Sequence, residues 1–243
     1  GTVTVLAMGQ SFEVTTYRID GEYKDNRRPE TVEYTSSLTD DLKRRDFTIN
    51  SIACHPVEGI IDPFGGMHDI ERKIIRTVGN PDARFHEDAL RMLRAIRFSA
   101  QLDFDITEDT FESIKRNHHL IKNISQERIR DELTRLILSD HPLRMVQMRD
   151  TGILRHILPE FDVCFDVAQN HPYHIYDVGF HTLHALTAIE PTYILRWTML
   201  LHDIGKAVTK TTDNNNIDHF YGHPEKSAEL SRKLLGRLKF DTR

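Results

Sequence analysis

The 243 residues are 39% apolar and 28% charged, with a formal net charge of −5. That is enough chain to bury a substantial core, and its sign does not advertise a polyanion-binding protein, although local basic patches rather than the total make such a footprint. No apolar run approaches the about 18 residues of a spanning helix, no signal peptide is visible, and Cys54 and Cys164 alone build no disulfide framework. The expected setting is reducing and cytoplasmic, without a membrane partner; the sequence carries no sign of an oligomeric state.

Residues 1–19 read as β-structure, since Thr2-Val3-Thr4-Val5 and Phe12-Glu13-Val14-Thr15-Thr16-Tyr17 are rich in β-branched and aromatic types, with Gly9-Gln10-Ser11 as the turn. The opening Gly1-Thr2-Val3-Thr4-Val5 reads as the middle of a domain, so further chain is expected upstream. The polar stretch 20–41 predicts a mobile loop. A helix is expected from near Asp46, carrying Phe47, Ile49, Ile52 and Ala53, and Asp62-Pro63-Phe64-Gly65-Gly66 is a turn-rich break. Beyond it the pattern is helical: Ile70, Ile74 and Ile75; one helix over 86–101; another from Thr107 carrying Phe111, Ile114 and Ile121; one capped by Ser125; one started by Pro142; and further helices over 178–190, 192–206 and 224–238. No fixed-period repeat is present.

Two clusters suit a nucleotide. Arg44 and Arg45, placed at an expected helix start, can pair bidentately with phosphate while helix N–H groups add donors, and Asp46 is an acceptor suited to ribose hydroxyls. Glu87, Asp88 and Arg91 stand three and four residues apart and so share one side of the expected helix. A carboxylate there accepts from an exocyclic amine, as with cytosine, and a guanidinium donates beside it, a set favouring C and A over U and G. Taken alone, each cluster is better described as a solvated charge run or an i,i+4 salt bridge.

Taken in order and at their spacing, Phe12-Glu13-Val14-Thr15-Thr16-Tyr17-Arg18, the run from Arg44 to Asn50, Asp62-Pro63-Phe64-Gly65-Gly66 and the run from Arg84 to Phe98 resemble the class II tRNA nucleotidyltransferases and the related bacterial poly(A) polymerases. The resemblance is strong over roughly residues 1–140. It implies an α+β chain, a remnant of a nucleotidyltransferase palm with a mixed β-sheet followed by an all-α neck and body: a head at 1–80, a base- and RNA-binding neck at 81–145, and a helical body with an HD-like domain at 146–243. It implies nucleotide contacts from Arg44, Arg45, Asp46, Asn50 and Arg94, with Glu87, Asp88 and Arg91 as a protein template for C or A. Glu13 lies on a palm strand where a carboxylate helps hold the metal site, and a cross-strand pairing role suits it equally. The loop at 20–41 resembles the family's flexible segment. The Asp-x-Asp pair that carries Mg²⁺ in this family would lie upstream of Gly1; without it the chain is not expected to add nucleotides.

Half of the 14 histidines fall between His171 and His223. His202-Asp203-Ile204-Gly205-Lys206 after an apolar helix resembles the HD phosphohydrolase signature, with His181 and His223 as its flanking histidines. Imidazole and carboxylate together suit a divalent transition metal. His171, His174, His184 and His219 read as ordinary polar or core residues. HD hydrolases supply a further Asp downstream, and Asp241 is poorly placed for that role.

The leading expectation is therefore a template-independent RNA nucleotidyltransferase that adds CMP and AMP from CTP and ATP to the 3′ end of tRNA. Poly(A) addition to another RNA shares the same motifs. An HD phosphohydrolase with an RNA-binding N-terminal half and a non-catalytic RNA-binding module are the alternatives, the last drawing on Lys115, Arg116, Lys122, Arg128, Arg130 and Arg135.

Overall fold

A computed structural model describes residues 2–21, 30–170 and 175–241. Gly1, part of the expected 20–41 loop, His171 and His174 lie outside them.

Strands β1 (Thr2–Ala7) and β2 (Gln10–Thr15) form an antiparallel hairpin with Val3 opposite Val14 and Val5 opposite Phe12. Its turn is Met8-Gly9, both at positive φ (51° and 75°), the geometry whose twist matches a two-residue hairpin; the turn therefore sits just before the expected Gln10-Ser11. Val3, Val5, Phe12 and Val14 are all exposed. Strands β3 (Arg18–Asp20) and β4 (Val32–Tyr34) pair next. Helix α1 (Leu38–Lys43) follows, capped by Ser37, whose hydroxyl accepts from the Asp40 amide. The stretch expected as a loop thus holds a strand and a helix, disguised by its charge density.

The helix expected from Asp46 does not form. Backbone 46–48 pairs instead with 76–78: Thr48 donates to the Arg76 carbonyl, Val78 donates to that of Asp46, and Phe47 bridges Thr77 while its ring is fully buried. Only a 3₁₀ turn, Thr48–Asn50, remains. The hairpin β5 (Ala53–His55) and β6 (Gly59–Ile61) precedes α2 (Gly66–Glu71), whose first amides, Gly66 and Met67, are held by the Asp62 carboxylate at 2.7 and 2.8 Å. A Cβ on Gly66 would fall 2.1 Å from the Thr48 carbonyl oxygen, so only glycine fits. Ile74 and Ile75 are not helical but form β7 (Ile74–Ile75), parallel to β8 (Asp105–Ile106).

The expected helix 86–101 is two helices. α3 (Pro81–Glu87) starts on the Asn80 cap and ends at Asp88, which is extended (φ −143°, ψ 104°); α4 (Leu90–Leu102) follows. The Asp88 carboxylate accepts from the Leu90 amide at 3.1 Å, an Asx turn that redirects the chain. The remaining helices are α5 (Glu108–Asn117), α6 (Gln126–Ile137), α7 (Val146–Asp150), α8 (Leu154–Ile157), α9 (Pro159–Asp162), α10 (Val178–Ala188), α11 (Tyr193–Leu201), α12 (Lys206–Thr209) and α13 (His223–Arg237). Thr107 and Ser125 cap α5 and α6 by position, Ile121 lies in a 3₁₀ segment (His118–Asn123) beyond α5, and Pro142 opens a 3₁₀ turn before α7. The helix expected over 192–206 is broken at His202–Gly205. A short hairpin, β9 (Thr211–Thr212) with β10 (Asp218–His219), was not legible in the sequence.

Apolar faces of α4 and α6 (Met92, Leu93, Ile96; Ile129, Leu133, Leu136) continue into Leu154, Phe161, Leu183, Leu200 and Leu234, giving one core from Phe47 to Leu238. An Arg237–Glu160 double hydrogen bond (2.6 and 2.8 Å) ties α13 to α9.

Candidate nucleotide-binding site

A cleft of about 420 Å³ opens where the Arg44–Asn50 turn meets the α3–α4 break and α6; Arg44, Arg45, Asp46, Asn50, Asp88, Leu90, Arg91, Arg94 and Arg128 line it. Seven expected nucleotide residues therefore converge, across more than forty positions of sequence. Glu87 does not line this cleft. It borders a smaller one of about 200 Å³ with Arg84 and Arg44, and its carboxylate takes Arg84 Nη2 and Arg91 Nη1, both at 2.5 Å. Glu13 is exposed on β2 opposite Thr4 and is not part of the cleft lining.

Asp46 is one of the cleft's lining residues. It is buried, and its carboxylate accepts from Arg94 Nε at 2.5 Å, Asn50 Nδ2 at 2.6 Å and the Phe47 amide at 3.1 Å. Burial works to raise its pKa, but Arg94 and Asn50 outweigh that and hold it below the usual carboxylate range. Its first role is thus to fix Arg94.

Arg44 and Arg45 stand at the C-terminal end of α1, not at a helix start, so no helix N–H groups back them; a cation suits that end of the dipole. Asp41, within the stretch expected as a loop, organises both. It is buried and accepts from Arg44 Nη2 at 2.6 Å, Arg45 Nη2 at 3.4 Å and the Arg18 amide at 3.2 Å.

Asp88 and Arg91 lie on opposite sides of the helix break and do not share a helical face. Arg91 is clamped: Nη1 reaches Glu87 and the Arg84 carbonyl, and Nη2 donates to the Arg44 carbonyl at 2.9 Å. Asp88 is held by Arg128 Nη2 at 2.7 Å from α6. Arg128 carried no local signal, since it sits among several basic residues on one amphipathic helix. Five arginines against two aspartates leave the lining cationic, a surface fit for a polyphosphate.

A second group surrounds Asp203, at the turn between α11 and α12. His202 Nε2 lies 3.1 Å and His181 Nε2 3.8 Å from its Oδ2, and His223 Nε2 lies 3.5 Å from Oδ1. His202 and His223 each use Nδ1 toward a backbone carbonyl, those of Met199 and Phe220. That bond assigns the ring proton to Nδ1 and turns the Nε2 lone pairs on the carboxylate, an arrangement that needs a proton or a cation between them. Lys206 Nζ supplies one such cation, 2.8 Å from Oδ2. Burial works to lower the His202 pKa, but Asp203 raises it above the ordinary value, while Asp203, despite its burial, is held well below the carboxylate range by His202 and Lys206. His219 pairs with Asp213 instead and Asp241 lies at the end of the described chain.

Three family models match consecutive parts of the chain: a Poly A polymerase head domain at residues 1–76, the probable RNA and SrmB-binding site of polymerase A at 103–165, and an HD domain at 173–242. The chain is 46% identical over 172 residues to a CCA-adding enzyme of Lactobacillus helveticus, covering 71% of this chain and 43% of that one. It is 52% identical over 157 residues to a CCA-adding enzyme of Ligilactobacillus salivarius, covering 64% and 39%. The chain thus spans about two fifths of the length of these relatives. The fold is similar to that of the Bacillus stearothermophilus CCA-adding enzyme in complex with CTP, with a TM-score of 0.58 and 29% identity, over 97% of this chain and 66% of that one.

Proposed function

Because the chain belongs to the family of poly(A) polymerases and tRNA nucleotidyltransferases, we propose that it is the nucleotide-selecting portion of an enzyme that adds CMP and AMP, from CTP and ATP, to the 3′ end of tRNA in the cytoplasm. The observation that carries this reading is the convergence of Asp46–Arg94 and Asp88–Arg91 on one cationic cleft. Arg45, its side chain 41% exposed, lines the cleft while donating Nη1 to the Asn50 carbonyl and Nη2 to Asp41, and its exposed part is the phosphate contact. Arg44 stands beside it, and Asn50 completes the ribose side. Asp88 accepts from the exocyclic amine of C or A, and Arg91 donates beside it. Glu87 acts by orienting Arg91. We assign residues 1–80 to the head, 81–145 to the neck and 146–243 to the body.

Members of this family use a divalent metal for the transfer, and we take it to be Mg²⁺. Glu13 alone, exposed on a two-stranded hairpin, does not amount to a site for it, so no step is derived through the ion.

Two measurements test the reading. Equilibrium dialysis of this chain is expected to show CTP and ATP bound more tightly than UTP and GTP, and equal binding of all four counts against the template role. The full-length protein with Mg²⁺ is expected to incorporate labelled CTP and ATP into tRNA lacking its terminus, and no incorporation refutes the activity.

The geometry around Asp203 favours a second reading for the body. His181, His202, Asp203 and His223 would hold a divalent transition metal, since the imidazole lone pairs already converge on the carboxylate. When bound, such an ion supplies activation of water toward a phosphate ester. Lys206 competes for the same carboxylate oxygen. Lys206→Met is therefore expected to raise Mn²⁺ affinity in dialysis, and unchanged affinity would count against a metal site.

A further inference from the structure

Arg128 reaches the nucleotide cleft from α6, whereas the other lining residues come from the Arg44–Asn50 turn, the α3–α4 break and α4 itself. Two features distinguish it from the other arginines there. Arg44 and Arg45 are held by Asp41, Arg91 by Glu87 and two backbone carbonyls, and Arg94 by Asp46. Arg128 alone is bonded to Asp88, the acid proposed to meet the base: Nη2 donates to Asp88 Oδ2 at 2.7 Å. Its Nη1 is buried and has no hydrogen-bond partner among the described residues, although the side chain as a whole is 29% exposed and lines the cleft. A buried N–H group without an acceptor is costly, and an acceptor on a ligand lying alongside Asp88 would relieve it.

The Asp88 carboxylate and the Arg128 guanidinium stand side by side, an acceptor next to a donor. An Asn or Gln amide reads adenine with the same pattern, its oxygen taking the N6 amine and its nitrogen donating to N7. A guanidinium by itself reads guanine, through O6 and N7; beside Asp88 that reading fails, because O6 would face the carboxylate. Adenine and cytosine differ on this edge. Next to its amine adenine carries an acceptor on both sides, N1 and N7. Cytosine carries N3 on one side and only C5–H on the other. Arg91 therefore serves N1 of adenine and N3 of cytosine alike, whereas a donor on the far side of the amine finds an acceptor in adenine alone.

We infer that the Arg128 guanidinium donates to N7 of adenine when ATP occupies the cleft and has no acceptor to meet when CTP does, so that Arg128 is the residue through which the site tells its two nucleotides apart. The inference rests on the template role proposed above for Asp88 and Arg91, and adds a third contact on the opposite side of the amine. It gives Arg128 two tasks: it holds Asp88 in place for either base, and it touches only one of them.

The test is equilibrium dialysis of the full-length protein, without RNA so that no transfer occurs, against ATP, 7-deaza-ATP, CTP and UTP. 7-Deaza-ATP replaces N7 by C–H and keeps N1 and the amine. The wild-type protein is expected to bind it about tenfold more weakly than ATP. Arg128→Met removes the donors and is expected to bind ATP and 7-deaza-ATP alike; Arg128→Lys keeps one donor and is expected to restore part of the difference. If Arg128 served only to hold Asp88, its loss would weaken both adenine nucleotides by the same factor and leave their ratio as in the wild type, so the ratio separates reading N7 from positioning the acid. Equal affinity of the wild type for ATP and 7-deaza-ATP overturns the inference and needs no variant. A difference that survives Arg128→Met overturns it too, since another group then reads N7. CTP against UTP, measured in the same titrations, shows which reading has failed. With CTP still preferred, the template role stands and only the N7 contact falls; with CTP and UTP bound equally, the template role falls and takes this inference with it.

Discussion

Asp46→Asn tests the central electrostatic claim about the cleft. The wild-type carboxylate is 7% exposed and takes Arg94 Nε at 2.5 Å. Breaking one half of a buried pair costs about 3–5 kcal/mol. Arg94 softens this, because its side chain is 29% exposed and Glu132 Oε1 lies 4.0 Å from its Nη1; about 2–3 kcal/mol is the expected loss. Urea unfolding followed by circular dichroism reads it, and a cycle with Arg94→Met is expected to give a coupling of at least about 1 kcal/mol. The pH dependence fixes the sign. Asp46 is held below its unfolded value of about 3.9, so its contribution is fully present above that value and fades as pH falls through the folded one. The stability gap between wild type and Asp46→Asn should therefore close in acid. A gap that stays constant from neutral pH to about pH 2, or single effects that add within about 0.3 kcal/mol, would refute the reasoning.

Arg91→Ala is expected to cut discrimination of CTP against UTP by about tenfold or more while leaving pyrophosphate affinity near wild type; equal losses for every nucleotide would remove its reading role. Gly66→Ala drives a Cβ into the Thr48 carbonyl and is expected to cost about 1–3 kcal/mol in a thermal melt. Gly65→Ala, at φ +75° with open space around it, is expected to cost about 1 kcal/mol, and a Gly66 variant no worse than it would contradict the packing. Cys164 is buried, and burial, with Asp203 and Asp177 nearby, pushes its thiol up to about 12. Ellman's reagent is therefore expected to find one reactive thiol per native chain, Cys54, and two in denaturant; two in the native protein would place Cys164 nearer the surface.

Local signals carried the parts of this molecule that local chemistry decides. The β1–β2 hairpin, the caps at Thr107 and Ser125, and the gathering of Arg44–Asp46 with Asp88, Arg91 and Arg94 were legible because each rests on neighbours in the chain or on one motif in strict order. What escaped rests on partners far away. Phe47 is in helical company by spacing, yet its backbone is claimed by Thr77, and the expected helix gives way. The break at Asp88 follows from one side chain capturing the Leu90 amide, which no periodicity reveals. Asp41 and Arg128 are single charges in charged surroundings, and only the fold makes them the supports of Arg44, Arg45 and Asp88.

The clamp on Arg91 has a consequence for whatever it meets. A free arginine surrenders up to about 2 kcal/mol of rotamer entropy when it is immobilised. Here Glu87, the Arg84 carbonyl and the Arg44 carbonyl have already confined the guanidinium before any ligand arrives, so that loss belongs to folding and not to recognition. A ring reaching this side chain finds it preorganised, and must itself travel to fit an immobile partner.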